Sequence, residues 1–295
     1  MKVAITGGTG FLGQELALLL RERGDEVRIL TRHPKGPNDV EWLQTGSVPE
    51  GQLIGTDAFI NLAGASINDG RWSKKQQREI YKSRMDATQE VLRIIRSLPE
   101  APRVLVNASA VGIYPASETA TYTEASTATA SDFLAETVRD WEQLAAKAKQ
   151  SGTRAAMARF GVMLGKDGGA LPLMALPYRL FTGGKVGSGR QWLSWIHLHD
   201  AARAVIFAID NGQVRGPFNV TAPSPRRMTE FGRELGRALG RPHWFPVPAI
   251  ALKLALGDKS RLVLEGQRVI PDVLLRNGFE FRFPDLPVAL RDIYS

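Results

Sequence analysis

The chain has 295 residues, of which 43% are hydrophobic and 23% charged, with a net charge of +8 and no cysteine. That length allows one large domain or two modest ones with a real core, and the composition excludes bulk disorder and fibrous architectures. Lacking cysteine, the chain has no disulfides, zinc–thiolate sites, iron–sulfur clusters or cysteine nucleophiles, and its four scattered histidines argue against a metal cluster, so no metal is expected.

Residues 2–6 (Lys-Val-Ala-Ile-Thr) read as a strand, and Gly7-Gly8-Thr9-Gly10-Phe11-Leu12-Gly13 as a glycine loop. Apolar residues at 12, 16, 19 and 20 then give one face of a helix that Gly24-Asp25 ends. Residues 26–30 are a second strand. Strand, glycine loop, helix and strand within about thirty residues is the context in which G-x-x-G-x-x-G becomes informative. Gly7 permits the tight turn, Gly10 lets the backbone approach a pyrophosphate, and Gly13 lets the helix pack on the sheet. The helix start then offers free N–H groups and a positive dipole end to phosphate.

Further α/β units follow. Residues 57–64 read as a buried strand ending at Leu62-Ala63-Gly64, 73–97 as a long helix, and 103–109 as a strand running into Ser109-Ala110-Val111-Gly112-Ile113-Tyr114. Residues 131–150 read as a helix and 154–160 as a strand. This alternation predicts an α/β fold, a Rossmann-like parallel sheet with helices on both faces. Ligands of such sheets bind beyond the carboxyl ends of the strands, where three small-residue loops converge. The expected cofactor contacts are Gly7, Thr9, Gly10, Phe11 and Leu12 in the first loop, and Gly64 and Ser109 in the others.

An NAD-binding unit usually ends its second strand with a carboxylate that binds the ribose hydroxyls and repels a 2′-phosphate. Here the strand ends Leu30-Thr31-Arg32-His33, a hydroxyl and a guanidinium instead. Arginine presents a fork that suits phosphate. NADP(H) is therefore expected over NAD(H), unless Arg32 is an ordinary surface arginine.

These residues resemble the extended short-chain dehydrogenase/reductase superfamily. More closely they resemble its atypical branch of epimerase-family proteins, sometimes labelled cell-division inhibitors. The likeness runs along the whole chain: Thr6–Gly13, Thr31-Arg32, Asn61–Gly64, Ser109–Tyr114, Arg159–Gly165, Gly187–Gln191, Trp195–Asp200, Gly216–Val220 and Gly266–Pro271 with Gly278–Phe281. It implies an NADP-binding core with a smaller substrate lobe. It also implies cofactor contacts at Thr31, Arg32, Leu62, Ala63, Glu79, Arg84 and Val162. Glu79 and Arg84 by themselves read as helix-surface charges.

The chain departs from that pattern where chemistry is concerned. The dehydrogenases it resembles use a serine or threonine with a Tyr-x-x-x-Lys pair, whose lysine lowers the tyrosine pKa for proton transfer alongside hydride transfer. The matching positions are Ala110, Phe133 and Thr137, and no tyrosine has a lysine four residues on. Ser109 and Tyr114 remain as weak catalytic candidates; Tyr114 reads more readily as a packing residue, and Ser109 is similarly ambiguous. The arginine that binds substrate phosphate in sugar-nucleotide relatives is replaced by Leu193, with Arg190 three residues away as a candidate substrate contact.

Residues 166–194 are rich in Gly and Pro and hold an apolar helix or loop over 171–181. Residues 195–220 read as a return to the core sheet, with His197 a hydrogen-bonded core histidine and Asp200 capping a helix over 201–211. Amphipathic helices are expected at 228–239 and 250–256. This gives a core of 1–165 with 195–220 and a lobe of 166–194 with 221–295. The basic excess lies in the second half, 18 Lys/Arg against 11 Asp/Glu over 166–295, compared with 20 against 19 before it. It points to an acidic or phosphorylated small-molecule substrate. No run of five like charges favours nucleic acid, no 18-residue apolar stretch spans a membrane, and Met1-Lys2 leads straight into a strand, so neither partner is expected and a cytoplasmic location is the default. Two functions are open: an NADP(H)-dependent oxidoreductase or epimerase-like enzyme with an unconventional proton donor, or a catalytically silent NADP(H)-binding sensor or interaction protein.

Overall fold

The computed structural model describes residues 1–68, 70 and 72–295. β1 (Lys2–Thr6) leads through the glycine loop into α1 (Phe11–Glu22), followed by β2 (Glu26–Thr31), β3 (Asp39–Glu41), the single-turn α2 (Glu50–Leu53) and β4 (Ala58–Asn61). The long α3 (Lys74–Ser97) leads to β5 (Val104–Ala110), the short β6 (Thr121–Tyr122), α4 (Phe133–Ala145), β7 (Arg154–Phe160) and β8 (Val162–Leu164). Then come α5 (Leu171–Arg179), β9 (Trp192–Leu193), β10 (Trp195–His197), α6 (Leu198–Asp210), β11 (Gly216–Val220), β12 (Arg226–Arg227) and α7 (Met228–Leu239). The chain ends with α8 (Ala249–Leu256), α9 (Arg261–Leu264), β13 (Arg268–Val269), α10 (Asp272–Arg276) and α11 (Leu286–Tyr294).

Seven strands form one sheet in the order β11-β7-β5-β4-β1-β2-β3, every neighbouring pair parallel. Both faces are covered, which is why the strands read as near-continuous apolar runs. Val3 and Ile5 of β1, with Ile60 and Val106, pack under α1 and α6 through Leu16, Leu20 and Val205. Ala4, Phe59 and Leu105 point the other way, onto Val91, Ile94 and Ile95 of α3. The strand order reverses between β1 and β4, so a crevice opens there at the carboxyl ends. Sequence and structure agree on this core.

A third buried cluster joins α5, α7 and α11 with Leu193 and Trp195, and forms a lobe built from separated segments. Three expectations need correction here. Residues 195–197 do not rejoin the main sheet; β10 pairs with β8 in a two-stranded sheet of its own. The cause is Gly161, which breaks the strand after Phe160. A Cβ there would lie 2.5 Å from the Ser194 carbonyl oxygen, so only glycine lets the two backbones meet. Asp200 does not cap α6. His197 does, accepting from the His199 N–H at 3.1 Å, while buried Asp200 accepts from the backbone N–H of Arg282 and Phe283 and tethers the C-terminal segment. The helix expected over 131–150 ends at Ala145 and continues as tighter 3-10 turns to Ser151.

Candidate functional site

Gly7 turns the chain out of β1 with φ +67°, and a Cβ there would lie 2.9 Å from the Leu62 carbonyl carbon. At Gly13 a Cβ would lie 2.4 Å from the Gly7 oxygen, so α1 can begin directly behind the loop only with glycine at that place. Gly10 is the residue before α1. No side chain caps the helix there and no carboxylate stands in its first turn. Its first N–H groups therefore face the crevice without a side-chain partner, in the positive end of the helix dipole. Thr9 and Gly10 are exposed at the loop tip, Leu12 is buried, and the Phe11 ring fills the space beside Gly165, Gly168 and Gly169. That contact ties the loop after β8 to the glycine loop.

A ladder of buried polar groups fixes the neighbouring strand ends. The Thr6 hydroxyl donates to Asn61 Oδ1 (2.6 Å) and accepts from the N–H of Leu62 and Ala63. The Asn61 amide donates to Asn107 Oδ1 (2.6 Å) and Thr88 Oγ1 (2.9 Å), and the Trp141 indole also donates to Thr88. Leu62, Ala63 and Gly64 are thus held at the crevice wall, half-buried or exposed.

Thr31 ends β2 and Arg32 follows, exposed. The Arg32 guanidinium makes no hydrogen bond or ion pair among the described residues; only its carbonyl is engaged, by Gln44. Arg84 differs. It is half-buried against Gly64, donates among the described residues only to the carbonyls of Ala65 (3.1 Å) and Ile80 (2.8 Å), and lies 5.2 Å from the Trp141 ring. Without a carboxylate partner among the described residues, burial pulls it down to about 10. Glu79, on the same helix, is exposed, and Val162 is half-buried in β8.

The two catalytic candidates point into the core. Ser109 is buried and donates to Glu142 Oε1 at 2.5 Å. Tyr114 is 1% exposed, donates to Asn219 Oδ1 (2.9 Å), and accepts from Arg159 (2.8 Å). Arg159 in turn binds both Glu142 oxygens at 2.7 Å. Burial pushes the Tyr114 phenol above its ordinary value, although Arg159 opposes the shift. At the other helix, Phe133 begins α4 after the cap Asp132, and the buried Thr137 hydroxyl donates back to the Phe133 carbonyl at 2.8 Å. None of these four side chains offers a free proton to the crevice.

Residues 3–221 match the family model described as the NAD dependent epimerase/dehydratase family. The chain belongs to that family. Residues 247–293 match a separate domain of unknown function (DUF1731). A curated relative, epimerase family protein YfhF of Bacillus subtilis, is 47% identical over 100% of this chain and 98% of its own. The structure is similar to that of human epimerase family protein SDR39U1 with NADPH, at 36% identity and TM-score 0.90, covering 100% of this chain and 99% of that one. It is also similar to a nucleoside-diphosphate sugar epimerase from Corynebacterium glutamicum, at 32% identity and TM-score 0.81, where the match covers 58% of that longer chain.

Around Trp192, Arg190 meets two further arginines that the sequence did not single out. Arg190 is exposed and pairs with Glu118 at 2.8 Å. Beside it two guanidiniums lie over the Trp192 ring, Arg227 at 3.8 Å and Arg268 at 4.9 Å from its centroid. Arg227 donates to the carbonyls of Arg190 and Glu118, and the Arg268 guanidinium has no hydrogen bond or ion pair among the described residues. Of these three cations only Arg190 has a carboxylate partner among the described residues. Arg226-Arg227 next to Pro225 was a visible signal, but its meeting with Arg268 depends on the β12–β9 and β13–β6 pairings. Among the described residues no group of His, Asp or Glu could hold a metal ion, and no helix is long and apolar enough to cross a membrane.

Proposed function

We propose that this chain binds NADP(H) in the β1–β4 crevice and acts as an oxidoreductase or epimerase-like enzyme on an anionic small molecule. The observation that carries the reading is the uncapped start of α1 facing the crevice, with Arg32, exposed and unpaired among the described residues, at the end of β2 where a carboxylate would select NAD. The residues fit the cofactor. Backbone N–H groups of α1 and the Gly7–Leu12 loop would receive the pyrophosphate, and Thr31 and Arg32 a 2′-phosphate. Leu62, Ala63, Gly64 and Val162 would line the rest. A nearby phosphate would also give a counter-charge to half-buried Arg84, which has no carboxylate partner among the described residues. Glu79 is included on the resemblance alone. The human relative whose structure contains NADPH supports this choice of cofactor. When bound, NADP(H) supplies hydride transfer at its nicotinamide; the chain supplies orientation.

Arg190, Arg227 and Arg268 around Trp192 are the proposed anion contacts for substrate, in place of the arginine replaced by Leu193. The proposed lobes are 1–165 with 195–220, and 166–194 with 221–295. A cytoplasmic location and membership of the atypical branch complete the reading. The relatives' names carry no cell-division role, and none is proposed.

A second reading is favoured by one observation: Ser109, Tyr114, Phe133 and Thr137 leave no free proton donor at the expected place. In it the protein is a silent NADP(H)-binding sensor. A structure with NADPH separates the two. An open pocket against nicotinamide C4 with a donor in reach supports the enzyme. Side chains packed over C4 would end that reading and leave the sensor.

A further inference from the structure

Leu180 and Phe181 after α5, Trp244 and Phe245 after α7, and Ile250 and Leu254 on α8 all project into solvent. Trp244, Ile250 and Leu254 are 71%, 73% and 77% exposed. These side chains sit on one contiguous, backbone-fixed surface. The Trp244 indole donates to the Phe181 carbonyl at 2.8 Å, and the N–H groups of Trp244 and Phe245 both donate to the Gly183 carbonyl. A Cβ on Gly184 would lie 2.1 Å from the Phe245 oxygen, and Val186 bridges Val247 immediately before α8. Phe181 takes a left-handed φ of 61° beneath Arg241, 4.4 Å from its ring. The loops are therefore locked in an arrangement that holds aromatic side chains outward.

α8 itself reads Ala-Ile-Ala-Leu-Lys-Leu-Ala-Leu, apolar almost all round. Such a helix belongs in a core or against another apolar medium. The charge around it is one-sided. Arg190 is paired with Glu118, and Arg261 with Glu265 and Asp132; of the other charged residues at 168–199 and 240–264, Arg179, Lys185, Arg241, Lys253 and Lys259 stand against Asp258 alone.

We propose that this face docks the protein peripherally on an anionic lipid bilayer. The apolar tips project instead of lining a recess, which suits insertion among headgroups better than reception of a partner's helix. The basic surroundings complement anionic lipid and oppose face-to-face pairing with a second copy, which would bring like charges together. A face lying on the surface needs no membrane-spanning run, so the missing 18-residue stretch does not bear on it.

The test is co-sedimentation of the full chain with vesicles of phosphatidylglycerol and phosphatidylcholine in equal parts, against phosphatidylcholine alone. Binding to the anionic vesicles should be at least about tenfold tighter and weaken with salt. Trp244→Ser with Leu254→Ser should weaken it about tenfold or more, and Lys253→Glu about fivefold or more, with NADPH-dependent melting unchanged in each. The proposal is overturned if the wild type stays in the supernatant with anionic vesicles, or if the variants sediment as the wild type does. It is equally overturned if the wild type self-associates through Trp244 and Leu254 without binding lipid, or if it binds only an acidic protein there.

Discussion

A methyl group at Gly13 would press within 2.4 Å of the Gly7 oxygen and 2.6 Å of the Gly8 Cα, and neither backbone atom can move without opening the loop. Gly13→Ala should therefore cost about 1–3 kcal/mol of stability and weaken NADPH binding with it. A melting curve and a titration on the same variant check this; unchanged affinity would show that the loop tolerates opening. This residue was legible in the sequence because strand, loop and helix all occur within thirty positions. Glu124 was not. Its carboxyl accepts the N–H groups of Asn219 and Val273, which lie 95 and 149 residues away. Its other oxygen is buried without a partner among the described residues. Burial raises its pKa above 4.5, backbone hydrogen bonds opposing and Asp272 adding to the shift. From pH 4.5 up to the raised value the folded state holds a proton that the unfolded state has released, so stability falls as pH rises through that window. Glu124→Gln removes the titration. Urea midpoints of wild type minus variant should fall as pH rises from about 4.5; parallel curves would refute the assignment.

At the scale of elements, β5, α4, β7 and β11 are joined by Ser109, Glu142, Arg159, Tyr114 and Asn219 in one buried chain of hydrogen bonds. Burial alone would lower the Arg159 pKa, but the bidentate Glu142 contact outweighs it and the guanidinium stays firmly charged. Removing one partner strands the other charge. Arg159→Met should cost about 3–5 kcal/mol, and adding Glu142→Gln should recover part of that, because the uncompensated carboxylate is gone. Thermal melts of the two single variants and the double complete the cycle, and strictly additive losses would mean the pair is not coupled. The network explains why Ser109 and Tyr114 looked like candidates. They lie at the right strand end, but the sequence does not show which way a side chain turns when its partners, Glu142 and Asn219, are 33 and 105 residues distant. Phe133 and Thr137 were legible, since a missing functional group needs no partner to recognise. The separate β8–β10 sheet was not, because it depends on one close approach at Gly161.

For the whole molecule, the charge partition seen in the sequence gains two locations. In the nearly neutral half, the crevice has its own cations, Arg32 exposed and Arg84 half-buried. In the basic half, the excess lies around Trp192 and around α8, on surfaces that face substrate in one reading and lipid in the other. The parallel core was readable because each unit is local, and the discontinuous lobe was readable too; how the lobe packs was not, because segments from 164 to 293 share one buried cluster. The central claim is that the crevice takes NADP(H) and that Arg32 reads its 2′-phosphate. Paired calorimetric titrations of NADPH and NADH into wild type and Arg32→Ala test it most directly. The wild type should bind NADPH at least about tenfold more tightly than NADH, and Arg32→Ala should erase most of that preference by weakening NADPH alone. Equal weakening of both cofactors, or a wild type that prefers NADH, would contradict it.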